Sequence, residues 1–196
     1  MANIALNKPS GGQLILAPED GASTDTVTIP SSGVMAADAT TGKILQIQQS
    51  VLTTVETYAL NNTWQTTGLS VSITPTSSSS KILVMYTLQF GDTGAYSYPA
   101  GRLIRNGAIL SGAVASPDGS MKQGTSTGGF DSGNSTWAAV TGVEYLDSPA
   151  TTSQITYAVQ VTGYGSRTFY INRNANGTDG NHANGISSIT LMEVAA

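Results

Sequence analysis

Apolar residues in this chain come in short runs, either alternating at period two or continuously apolar over about ten positions or fewer, with turn-forming residues between them. Nowhere does the i, i+3, i+4, i+7 spacing of an amphipathic helix persist over three turns. The pattern therefore predicts strands. They begin at Lys43–Ile47 and continue through Val55–Tyr58, Leu69–Ile73, Lys81–Phe90, Leu103–Leu110, Trp137–Leu146, Gln154–Val161, Thr168–Ile171 and Ser188–Val194. Lys81–Phe90 is apolar at both parities, which predicts a strand buried on both faces. Pro75 and the Ser77–Ser80 run predict a turn ahead of it. Within Leu103–Leu110, Asn106-Gly107 predicts a two-residue type I′ hairpin, because both central residues of that turn need positive φ. Residues 111–135, rich in Gly, Ser, Thr and Asp, predict a long exposed loop.

Eight to ten short strands after residue 42 make an all-β chain, and a two-sheet jelly-roll sandwich suits that number. Residues 1–41 read differently. Two short runs, Gln13–Leu16 and Thr26–Ile29, are joined by Pro18-Glu19-Asp20-Gly21, too little apolar surface for a core of their own. A strand pair alone is marginal in water. Residues 1–41 are thus expected to be an extended β attachment or stalk segment, and residues 42–196 the head domain.

Composition narrows the function classes. Of 196 residues 39% are hydrophobic and only 10% charged, against about 25% charged in an average globular chain, so the surface must be largely Ser, Thr, Asn, Gln and Gly. The net charge of −4 and the dispersal of the eight Lys and Arg residues leave no electrostatic footprint for nucleic acid. With no cysteine, disulfides, thiolate metal sites and a Cys nucleophile are excluded. No basic segment precedes an apolar h-region and no apolar stretch reaches about 18 residues, so a soluble protein with no membrane insertion is expected.

Candidate chemistry is sparse. His182 is the single histidine and lies in the turn-rich Asp179–Gly185 segment, where a solvated loop residue is expected rather than part of a triad or metal site. Asp92, Asp118, Asp131 and Asp179 each stand within two residues of a glycine, as turn residues do, and Asn174–Asn181 lacks the ligand alternation of a calcium loop. Glu56 and Glu144 are the candidates for a glycosidase carboxylate pair, with nothing beside them to support the chemistry. The expectation is a chain without cofactor or metal that is not an enzyme. Asn61, Asn134 and Asn176 head Asn-x-Ser/Thr sequons and mark polar surface. Tyr96, Tyr98 and Tyr164 fall in loop contexts and are the candidate receptor or partner contacts, set against a packing role at the sandwich ends or between subunits.

Six pieces in one order, Gly42–Ile47, Thr67–Pro75, Ser78–Val84, Arg102–Gly107, Tyr145–Pro149 and Ser188–Val194, resemble a domain family of tailed bacteriophages of cyanobacteria and other aquatic bacteria. Gly12–Asp20 with Val27–Pro30 is similar to the lead-in segment of phage fibre proteins. The resemblance implies a homotrimeric jelly-roll head like those of tumour-necrosis-factor and complement-C1q proteins. It implies a virion protein assembled in the host cytoplasm, joined to other virion proteins through residues 1–41 and binding a host-surface glycan or protein. Such a chain acts as a tail fibre or spike head. The alternative is a capsid decoration protein that stabilises the head shell through trimeric contacts, since three-fold capsid positions suit a trimer equally.

Overall fold

The structure, a computed structural model, describes residues 42–92, 99–127, 138–163, 165–175 and 183–196. Residues 1–41, and with them the expected attachment segment, lie outside the described residues. The strands are β1 (Ile44–Leu52), β2 (Glu56–Asn61), β3 (Gln65–Ile73), β4 (Lys81–Asp92), β5 (Ala100–Arg105), β6 (Ala108–Ile109), β7 (Ser126–Thr127), β8 (Ala138–Asp147), β9 (Ile155–Thr162), β10 (Ser166–Ile171) and β11 (Ser187–Val194). Among the described residues there is no α-helix, only a 3-10 turn at Ser111–Ala113.

The strands form two antiparallel sheets. In the six-stranded sheet β4 is central: β8 runs along one side of it, while β11 and β10 share the other, flanked in turn by β1 and β2. The five-stranded sheet runs β3-β9-β5, with the short β6 and β7 both on the far side of β5. The chain passes repeatedly from one sheet to the other, so neither sheet is built from one continuous stretch of sequence.

Period-two alternation drives the packing. On β11 the inward positions Ile189 and Leu191 are fully buried and the residues between them only partly so. The core joins them to Leu69 and Ile73 of β3, Val84, Leu88 and Phe90 of β4, Leu103 of β5, Tyr157, Val159 and Val161 of β9, and Phe169 and Ile171 of β10. Phe90 and Phe169 stack with ring centroids 5.2 Å apart and planes 25° from parallel. Such a pair adds about 0.5–1.5 kcal/mol beyond the area it buries. Tyr86 spans the sandwich, its hydroxyl 2.5 Å from Ser126 Oγ on β7, and burial, partly offset by that bond, pushes its pKa up to about 12.

The hairpin forms as the Asn-Gly pair demands. Asn106 has φ 50° and Gly107 φ 80°, with Ile104 facing Ile109 and Arg105 facing Ala108 across the turn. Gly91 is fixed for another reason: a Cβ there would lie 2.6 Å from the Arg173 carbonyl oxygen.

Two expectations need correction. Residues 111–127 are not simply an exposed loop, since Ala113 is buried and Ser126–Thr127 pair with β5. And β4 is not buried on both faces. Ile82, Val84, Tyr86, Leu88 and Phe90 are buried, but Leu83, Met85 and Gln89 are only partly covered and Thr87 is exposed, because no layer of the described chain lies over that side.

Candidate functional site

Strand register lines up the outward positions of the six-stranded sheet into rows. Ile47 on β1 faces Met192 on β11, Met192 faces Leu83 on β4, and Leu83 faces Leu146 on β8. The result is an apolar row across four strands, with Ile47 55% and Leu146 47% exposed at its ends. The next row is Gln49, Thr190, Met85 and Glu144, tied at one end by Gln49 Nε2 donating to Thr190 Oγ1 at 2.9 Å. Val51, Ser188, Thr87 and Gly142 follow, and beyond them Val140, 65% exposed, sits beside Gln89. Across these rows the charged residues are Glu144 and, at the margin beside Val194, Lys81. Aligned Ile, Met and Leu side chains on an open sheet face make a surface whose burial is favourable by about 25 cal/mol per Å² of apolar area.

The outer face of the five-stranded sheet is bonded to itself. Thr66, Gln160 and Arg102 occupy one row over β3, β9 and β5. Gln160 Nε2 donates to Thr66 Oγ1 at 3.0 Å, and Arg102 Nε to Gln160 Oε1 at 2.8 Å. Ser72 and Thr156 share a hydrogen bond of 2.7 Å two steps along.

Buried acids hold the margin of the six-stranded sheet. Glu193 and Asp147 are the two register partners of Ile82, one on each side, and both point inward. Glu193 is wholly buried and accepts from Gln46 Nε2 at 2.6 Å and from both the backbone N–H and the hydroxyl of Thr76 at 2.7 Å. Burial by itself raises its pKa, but the donors from Gln46 and Thr76 outweigh burial and hold it at about 2. Asp147 Oδ2 accepts from Arg105 and from Tyr157, each at 2.6 Å, and burial together with that carboxylate drives the Tyr157 hydroxyl far above the ordinary phenol range. Near the β2 side, Asn172 (φ 66°) is buried with every polar group engaged: Nδ2 donates to the Leu52 and Thr54 carbonyls and Oδ1 accepts from Ser187.

The residues singled out from sequence fall as follows. Tyr96, Tyr98, Tyr164, His182, Asp131 and Asp179, and the side chain of Asp92, lie outside the described residues. Asp118 stands in a turn closed by the Met121 N–H on its carbonyl at 3.0 Å. Glu56 and Glu144 are not brought together. Glu56 accepts from Tyr58 at 2.5 Å and from the Gly68 N–H in the opposite sheet, whereas Glu144 is exposed on the outer face of β8. Asn61 of the first sequon is exposed and accepts from Thr63 at 2.6 Å. Among the described residues no three His, Asp or Glu side chains gather as metal ligands.

Sequence reasoning did not name the apolar row, although its signal was present. A strand apolar at both parities asks for cover on two sides, and the described chain provides it on one. Glu193 was likewise legible by parity, two positions beyond the buried Leu191. Compared with protein-family models and with curated proteins, the sequence matches none.

Proposed function

We propose that this chain is a homotrimeric virion surface protein of a tailed bacteriophage, a jelly-roll fibre or spike head that attaches to the host cell by binding rather than by catalysis. The observation that carries the reading is the second, uncovered face of β4. The row Ile47–Met192–Leu83–Leu146 is apolar, half-open and nearly free of charge, which suits burial against copies of the same chain. Each of its four residues also falls within one of the six sequence pieces that carry the phage resemblance. The neighbour order β1-β11-β4-β8 opposite β3-β9-β5-β6 supports a jelly-roll reading of the sandwich. A surface of uncharged polar residues, repeated over many copies on one particle, suits attachment by avidity.

Mass photometry of the purified chain at micromolar concentration should give a trimer, and electron microscopy of the particle should place it at the tail. A monomer would remove the trimeric head. A trimer located on the shell would replace host attachment by capsid decoration.

A further inference from the structure

Charge is divided unequally between the sheets. Strands of the six-stranded sheet carry five acids (Glu56, Asp92, Glu144, Asp147, Glu193) and two bases (Lys81, Arg167), whereas those of the five-stranded sheet carry two arginines, Arg102 and Arg105, and no acid. Arg105 is neutralised across the sandwich by Asp147 at 2.6 Å. Arg102 has no such partner among the described residues.

Arg102 is nevertheless held in place. Its Nε donates to Gln160, which Thr66 holds in turn, and its guanidinium carbon lies 4.2 Å from the centroid of the Trp64 ring. Stacking on an indole fixes the plane of the guanidinium and leaves its terminal N–H fork, the part that grips a carboxylate through two bonds. A second cation arrives at the same strand. Lys122, exposed in the loop before β7, donates Nζ to Thr162 Oγ1 at 3.0 Å and to the Asn62 carbonyl oxygen. Gln160 and Thr162 are two residues apart on one face of β9, which places the α-carbons of the residues that anchor the two cations about 7 Å apart. Partial desolvation lowers the pKa of both cations, a cost that a bound anion would relieve.

We infer that the Trp64–Arg102–Lys122 corner of the five-stranded sheet is a binding site for an acidic sugar, its carboxylate held by Arg102 and Lys122 and its ring lying against Trp64. The exposed Thr66 hydroxyl, which accepts from Gln160 and keeps its own proton to donate, fits a neutral hydroxyl of such a ring. Two cations in a chain of net charge −4 suit one anionic group, not a phosphodiester track. The site rests on, and gives a ligand class to, the host-attachment reading.

Isothermal titration of the full chain at low salt with trigalacturonate tests it, with the carboxyl-reduced trisaccharide and sodium sulfate as parallel probes. Trigalacturonate should bind, the reduced sugar should not, and sulfate should compete weakly. R102Q and K122Q should each weaken binding at least tenfold while lowering the melting temperature no more than the loss of a surface hydrogen bond does, R102K should fall between, and K81Q on the other sheet should leave binding unchanged. No binding by the unmodified chain, equal binding by R102Q and K122Q, or sulfate as tight as the sugar would overturn the site. Failure here is separable from failure of the attachment reading, which localisation on the particle tests independently. A tail-located trimer without sugar binding overturns only the site, and sugar binding by a shell-located trimer supports the site while overturning only the attachment.

Discussion

The outer faces of the two sheets share one geometry and differ in what fills the outward positions. On the six-stranded sheet those positions include Ile47, Leu83, Leu146 and Met192 in a single row, side chains that can satisfy nothing by bonding along the surface and gain only by being covered. On the five-stranded sheet the equivalent row, Thr66–Gln160–Arg102, closes its own hydrogen bonds and leaves a fixed cation facing water. Polar surface that bonds to itself needs no partner for stability, so any partner it takes is chosen by charge and shape. Apolar surface accepts cover from whatever fits, and a second copy of the same chain is always present at matching concentration. On the proposed trimeric reading, assembly falls to one face and recognition to the other.

The sharpest way to break that contrast is to place a charge on each face. Leu146→Arg, at the exposed end of the apolar row, should convert the proposed trimer to monomer at micromolar concentration in sedimentation velocity, because burying an unpaired guanidinium in such an interface costs several kcal/mol per copy. Ser70→Arg, exposed on the outer side of β3, should leave the trimer intact. Assembly equally sensitive to both, or to neither, would show that the rows do not divide the labour.

Acid should act through the six-stranded sheet, since the strands of the other carry no carboxylate. Glu193 is lowered from an ordinary value of 4.5 to about 2, so the stability it contributes is fully present above about pH 4.5 and is lost as pH falls toward 2. At about 1.4 kcal/mol per pH unit the loss reaches at most about 3.5 kcal/mol. Urea midpoints measured between pH 6 and 2.5 should fall accordingly, and Glu193→Gln should both lower stability at pH 6 and flatten this part of the dependence. A slope unchanged in Glu193→Gln would put acid sensitivity elsewhere.

Gly107→Val tests the hairpin of the five-stranded sheet, where φ 80° opposes any β-branched residue. A loss of about 1–3 kcal/mol per chain is expected in thermal unfolding, with no change of oligomeric state because the turn lies on the other sheet from the apolar row. Dissociation of the trimer by this substitution would tie the two faces together. The smallest effect belongs to Gln160→Ala, which removes bonds to Thr66 and Arg102 at a partly exposed position and should cost about 1 kcal/mol or less. A larger loss would mean that the polar face contributes to folding beyond bonding its own surface.

Local chemistry was enough for the elements. Alternation at Leu69–Ile73 and Ser188–Val194 set strands with defined inward positions, and Asn106-Gly107 set a turn whose two φ values follow from sterics alone. These are properties of neighbouring residues, and neighbouring residues are what a linear chain displays. Which strands would pair was a different matter. Residues 47, 83, 146 and 192 form one row only after β1, β4, β8 and β11 take their registers, and a slip of one residue in any of them would turn its member of the row to the other face. The same holds for Glu193, whose parity announced burial but whose donors come from Gln46 and Thr76, more than a hundred residues earlier in the chain. Likewise Arg102 meets Trp64 only because β3, β9 and β5 are neighbours. Sequence alone determined where the backbone would extend and turn, because those preferences are paid within a few bonds. Tertiary structure decided what stands beside what, because sheet register is fixed by the summed packing of distant strands and by no single residue in them.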